Sequence, residues 1–414
     1  MTFNINAAFI NRTFSLLNKI NIRLERQIPR DPSFWGGKAG IALYYACIAQ
    51  SAAVTTDDSV KTQTIALQLA SSALNEIAHA MPNEIIKQAW VLWSASTVDA
   101  CLGQSENTAF CHDIEELLLE TLADTKVWHA EYDVINGLLA LGAHALAHPI
   151  SPHNTQLLAR VVTLLCSMSA QDGSHQWWPS TRQNGLPSRL AKFPNGYRDL
   201  GLAHGNAGVI VFFARLVQQS EHRELATTIL HKLVPWQLAQ RNSSEQIAAF
   251  PYLAETRDSE SRCGWCYGDV GIAWALLQAG VALKEENWLR LAHQLARNAA
   301  ARPPAAMGFT DHALCHGTLG VAHILRRIAV YFADVELQAA ANQLMHQGLA
   351  ALELLEEQLA QTENSPINPS YLEGWAGMGL ALLAACTAAA ENMTKATRAT
   401  TNNLLQWDYP LLLG

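Results

Sequence analysis

A Gly-x-x-Gly followed at once by an apolar helical run recurs along this chain, and no other feature narrows its possible folds as far. The copies read "GKAGIALYY" from Gly37, "GNAGVIVFF" from Gly205, "GDVGIAWALL" from Gly268, "GTLGVAHIL" from Gly317 and "GWAGMGLALL" from Gly374. A sixth, "GLLALGAHAL" from Gly137, has Ala140 in place of the second glycine. In chain order the first glycines stand 100, 68, 63, 49 and 57 residues apart. The widest gap has room for one degenerate copy, which we place near residues 90–102, for about seven units in all.

Each spacing suits two helices and their connections. After Gly317, apolar residues fall at Val321, Ile324, Leu325, Ile328 and Phe332, one face of a helix. Second helical patterns lie between the glycine copies, at residues 63–80 and 335–359, while strand-like alternation is scarce. The chain therefore reads as all-α. Repeated helix pairs extend as an open solenoid or close into a ring. In a ring, every glycine-rich helix start sits at one end and the residues ahead of it converge on a central cavity. Closure would make residues 1–414 one domain, although the length exceeds that of most single domains.

Half the residues are hydrophobic and 15% are charged, which supports a large core. The formal charge of -8 is spread along the chain without a Lys/Arg cluster, so nucleic acid is not an expected partner. The first twenty residues scatter Asn and Arg through their apolar positions, unlike a secretion signal. The most apolar segment, 377–390, falls short of the roughly 20 residues of a transmembrane helix. We expect a cytoplasmic location. Eight cysteines are too sparse for a disulfide framework in a chain of this length.

The residues just ahead of the glycines carry the chemistry. Cys266-Tyr267 precedes Gly268, Cys315-His316 precedes Gly317, and His204 precedes Gly205. Cys266, Cys315 and His316 form a Cys2His set, which suits a catalytic zinc with a fourth position free. The same two cysteines also read as small buried hydrophobes, and Cys263-x-x-Cys266 as a redox pair or half of a zinc knuckle. Asp133 and Arg262 would face the same opening, though Asp133 also fits a helix cap and Arg262 a solvated charge. His312 and His323 read as ordinary surface or core histidines, with His323, one turn into its helix, a candidate support for the metal. Residues 171–200, with three prolines and Trp177-Trp178, form a long irregular stretch leading into His204. It reads as a cover or peptide-binding element, or as a packed excursion.

The motifs "YDVING", "FPNGYRDLGLAHGNAG", "GWCYGDVG", "LCHGTLG" and "YLEGWAGMGLAL", in family order and spanning nearly the whole chain, resemble those of the lanthionine synthetase C-like family, the lanthipeptide cyclases. The resemblance implies an α,α-toroid of two nested layers with seven helices each and one zinc ion per chain. Carried over motif by motif, it makes Cys266, Cys315 and His316 the zinc ligands. It also brings in His204, Asp133, Arg262 and Tyr267 as catalytic candidates. Val270, where the family commonly has proline, and Ala140 are departures that bear on turn geometry. The implied activity is thioether ring closure in lanthipeptide (lantibiotic) biosynthesis, in which precursor-peptide cysteines add to dehydroalanine or dehydrobutyrine. His204 is then the acid-base candidate, Asp133 its holder, and Arg262 and Tyr267 the groups for the developing oxyanion. The length resembles stand-alone class I cyclases, which implies a dehydrated precursor peptide as substrate and a dehydratase and an exporter as partners, with a possible peripheral position at the inner face of the membrane through them.

Three other readings compete. A relative of the same type would join glutathione or another free thiol to dehydroamino acids. A non-catalytic toroid would bind peptides as a scaffold, without need of the Cys and His set. An α,α-toroid glycosidase would need two carboxylates at the opening, where mainly Cys, His and Asp133 stand.

Overall fold

The computed structural model describes residues 4–51, 53, 56–148, 151–219, 221–243, 245–361, 365–393 and 406–414. The start of the N-terminal stretch read above, residues 1–3, lies outside them. In chain order the helices are α1 (Ala7–Arg26), α2 (Lys38–Ala49), α3 (Thr56–Ala78), the short α4 (Pro82–Ile86), α5 (Ala89–Leu102) and α6 (Glu106–Ala123). They continue with α7 (Leu138–Ala147), α8 (Asn154–Ser167), the short α9 (Pro187–Leu190), α10 (Asn206–Leu216) and α11 (Arg223–Leu238). The last are α12 (Asp269–Leu283), α13 (Glu286–Ala300), α14 (Thr318–Phe332), α15 (Val335–Ala360) and α16 (Trp375–Met393). One small hairpin, β1 (Ala170–Asp172) with β2 (His175–Trp177), pairs antiparallel with Gln171 opposite Gln176.

Burial sorts the helices into two layers. Helices α2, α5, α7, α10, α12, α14 and α16 are built largely of Ala, Leu, Ile, Val and Gly, and α2, α5, α10 and α12 are buried on every side over most of their length. Their partners are amphipathic: α13 buries Trp288, Leu289, Ala292, Leu295, Ala296 and Ala299, a single stripe. The inner seven form a closed circuit in which α2 touches α5, α5 touches α7, and so on through α10, α12 and α14 to α16, which returns to α2. The fold is an all-α α,α-toroid.

In the five repeats that carry it, the second glycine is a packing requirement. A Cβ on Gly40, Gly208, Gly271, Gly320 or Gly377 would stand 2.2, 2.4, 2.5, 1.9 or 1.8 Å from the carbonyl oxygen six residues earlier. Only a residue without a side chain lets the incoming turn fold back this closely. The two departures leave their helix starts intact, with Ala140 and Val270 buried in the first turns of α7 and α12. The degenerate seventh unit is α5, which begins without glycine. It is tied in by side chains instead, with Trp90 Nε1 donating to Val134 O (2.6 Å) and Ser94 Oγ to Ala39 O (2.7 Å).

Residues 406–414 pass into the centre of the ring. Trp407, Tyr409, Leu411, Leu412 and Leu413 are buried there, and Tyr409 stacks on Trp93 of α5 and donates to Ala143 O of α7 (2.9 Å). The residues 171–200 are largely a packed excursion: Trp178 is buried, its Nε1 donates to Leu165 O (2.8 Å), and Trp177 stacks on Trp236. Among the described residues no helix is long and apolar enough to cross a membrane.

Candidate metal centre

Every inner helix but α5 starts behind a glycine, and the loops ahead of those glycines hydrogen-bond to one another around the mouth of the toroid. Leu372 N–H donates to Trp35 O, Cys315 N–H to Leu372 O, and Trp265 and Cys266 N–H both to Cys315 O. Leu202 and Ala203 N–H then donate to Cys266 O, and Val134 N–H to Ala203 O. Trp35 Nε1 donates to Ile135 O (2.9 Å) and closes the belt. Residues two and one before each first glycine thereby occupy equivalent positions on the rim. Cys266 and Cys315 hold the first of these positions, and His204, Tyr267 and His316 the second.

The belt brings Cys266, Cys315 and His316 together, with their ligand atoms all within 4.8 Å of one another. Both cysteines are buried, while the imidazole is partly open to the mouth. His316 Nε2 meets Asp311 Oδ2 at 3.1 Å, so the ring is held in one orientation and its Nδ1 is left for a ligand role. The hydrogen bond from Cys315, helped by His316, draws the Cys266 thiol well below the usual thiol range despite burial, and the same shared bond pushes Cys315 up. Asp311 and then Cys266 raise the imidazole to about 10. Thiolate and neutral imidazole are the forms that ligate, so uptake of a divalent soft-to-borderline metal by these three groups would be coupled to proton release. Ligands on a tetrahedral zinc, bound at about 2.0–2.3 Å, stand about 3–4 Å apart, so this donor set fits zinc with little closure.

Beside the cluster, His204 Nδ1 lies 2.5 Å from Asp133 Oδ2. Asp133 also caps its own turn, its Oδ1 accepting from Ile135 and Asn136 N–H, so the cap and the His204 contact coexist in one carboxylate. Burial opposes charge on His204, but Asp133, with Asp199 and Cys266 behind it, raises the imidazole above its ordinary value. The Tyr267 ring sits 6.4 Å from the His204 ring. Its hydroxyl is not free, for it donates to the fully buried Asp199 (2.9 Å). Arg262 is held by Tyr252, with Nε 3.3 Å from its hydroxyl, and lies near enough to both sulfurs for their charge to favour its cationic form.

A family model described as "Lanthionine synthetase C-like protein" matches residues 4–395. The chain belongs to the lanthionine synthetase C-like family. It is 24% identical over 205 residues to the nisin biosynthesis protein NisC of Lactococcus lactis subsp. lactis, covering 47% of this chain and 48% of that protein, so the match spans about half of the curated relative. The solved structure of a nisin cyclase superposes with a TM-score of 0.70 at 17% identity, covering 96% of both chains, and supports the toroid fold of this family member.

Two alternative readings of the sequence find no support in the geometry. Cys263 does not join Cys266 as a redox or zinc pair; it is buried with its Sγ toward Ala299 O. His323 does not support the metal: its Nε2 bonds Asp408 (2.7 Å) in the segment 406–414. A cavity of about 470 Å³ lined by Trp274, Leu277, His323, Arg326 and Arg327 opens beside it, in the later turns of α12 and α14 and away from the cysteines. Other members of the site went unread in the sequence. Asp311 and Asp199 stand six residues before a first glycine, as Asp31 does in the first repeat outside the site, each carboxylate accepting the N–H two residues on, and this repeat position was the available signal. Arg189 of α9, whose guanidinium lies 4.7 Å from the Tyr267 ring centre and 3.7 Å from Asp199, brings the 171–200 excursion to the edge of the site.

Proposed function

We propose that this chain is a zinc-dependent lanthipeptide cyclase that closes lanthionine and methyllanthionine rings in a dehydrated precursor peptide. The observation that carries the reading is the Cys266, Cys315 and His316 cluster set beside the His204–Asp133 pair at one mouth of the toroid. Zinc bound by Cys266, Cys315 and His316 would supply a vacant position for a peptide cysteine and favour its thiolate near neutral pH, where a free thiol of pKa about 8.5 is mostly protonated.

The sulfur adds to the β-carbon of a dehydroalanine or dehydrobutyrine in the same peptide, forming one C–S bond while the π electrons move toward the adjacent carbonyl oxygen. The α-carbon then takes a proton, so the peptide's mass does not change. His204 is the group to deliver it, from Nε2, since Nδ1 is engaged with Asp133. Arg262 offers a cation to the developing oxyanion. Tyr267, bonded to Asp199, is better placed to orient the His204 side of the site than to donate its hydroxyl.

In this reading residues 1–414 act as one toroidal unit in the cytoplasm, with a dehydratase supplying the substrate and an exporter removing the product. The experiment is incubation with a dehydrated peptide containing cysteines. Loss of free thiols without a mass change supports cyclisation; gain of the mass of glutathione, when that thiol is added, would assign the chain to intermolecular addition instead.

A further inference from the structure

Residues 406–414 lie in the toroid as a central post, and its contacts are not evenly spread. Trp265, immediately before Cys266, donates from Nε1 to Leu411 O (2.7 Å). Tyr371 donates to Trp407 O (2.7 Å), and the next residue, Leu372, supplies the carbonyl that accepts the Cys315 N–H. Asp408 bonds His323 and pairs with Arg327 on α14, the helix that begins two residues after His316. Arg215 of α10 donates to Gly414 O (3.0 Å) and covers the Tyr409 ring. Thus the Cys266 loop rests on a backbone carbonyl of the post directly, through Trp265, and the Cys315 loop does so at one remove, through the neighbouring loop that Tyr371 anchors. Both aromatic side chains are fully buried, so an unmade bond there would leave a polar group without water.

We propose that residues 406–414 are a positioning element for the metal centre, setting the separation of Cys266 and Cys315 through the Trp265–Leu411 and Tyr371–Trp407 hydrogen bonds. This deepens the reading of the site as a metal centre and rests on it. The reach of the effect is local: Trp274, on α12, makes a matched bond from Nε1 to Leu412 O (2.8 Å) but lies eight residues beyond Cys266 and adjoins no ligand. A loosened post would therefore be felt at the sulfurs through Trp265 and not through Trp274.

The test compares the full-length chain with Trp265→Phe and Trp274→Phe, each of which removes one indole N–H from the post. Zinc-loaded proteins are challenged with a chelator, and Trp265→Phe should release zinc about tenfold faster while Trp274→Phe stays within about twofold of the parent. Metal-free proteins are treated with a bifunctional reagent that bridges neighbouring thiols, and the yield of the Cys266–Cys315 cross-link should fall in Trp265→Phe alone. Equal release and equal cross-linking in both variants, whether both high or both low, would overturn the positioning role and leave only general stability. If the parent binds no zinc, the proposed function fails, and the cross-link yield still decides between positioning and none.

Discussion

The carbonyl of Cys315 accepts hydrogen bonds from the N–H groups of both Trp265 and Cys266, at 2.9 and 3.2 Å, so the two thiol-bearing loops are joined through main chain before any ion binds. Such a preformed donor set loses little conformational freedom on taking up a metal. Each ligand should therefore be needed individually.

Replacing Cys315 by Ala removes one sulfur of a three-donor set. Bound zinc and cyclisation should both be lost, as read by elemental analysis of the purified protein and by thiol counting on a dehydrated peptide. A full equivalent of zinc in this variant would refute the ligand assignment.

Asp311 fixes His316 by its contact with Nε2. Asp311→Asn should weaken zinc binding about 10- to 100-fold, the usual cost of losing a partner behind a ligating imidazole. Competition against a fluorescent chelator measures it, and circular dichroism should show the helices unchanged.

His204→Asn should keep its zinc and lose turnover by about 10²- to 10⁴-fold, the range for a removed general acid or base. Loss of zinc in step with activity would instead make His204 part of the metal site.

The Asp133 carboxylate helps to raise the His204 pKa above the ordinary imidazole value of about 6.5. A group with a raised folded pKa gives stability that is complete below its unfolded pKa and fades as pH climbs through the folded value. Asp133→Asn should accordingly lower Tm more at about pH 6 than at about pH 9. It should also move the alkaline limb of the rate profile to lower pH, because the protonated imidazole is then lost sooner.

Gly320→Ala would set a methyl carbon 1.9 Å from Leu314 O, one residue from Cys315. A cost of about 1–3 kcal/mol or more is expected in denaturant unfolding. At the equivalent position of the third unit, where alanine is native, Ala140→Gly should cost only about 0.5–1 kcal/mol.

Much of this molecule is legible along the chain because its repeats are local. Helix faces follow from i, i+3 and i+4 spacing, and a glycine needed for close approach leaves its mark wherever the turn recurs, so the seven units and even the glycine-free α5 were found in place. Cys266, Cys315 and His316 could be read for the same reason, since they hold equivalent positions in neighbouring repeats. Whether the helix pairs would close was a different matter. A solenoid and a ring have the same local periodicity, and the contact between α16 and α2 that closes this one joins residues from opposite ends of the sequence. Tertiary structure alone brought Asp311 onto His316, turned the Tyr267 hydroxyl to Asp199 and sent His323 toward Asp408. It also placed residues 406–414 at the centre, because a short apolar segment without periodicity carries no sign of the cavity that will bury it.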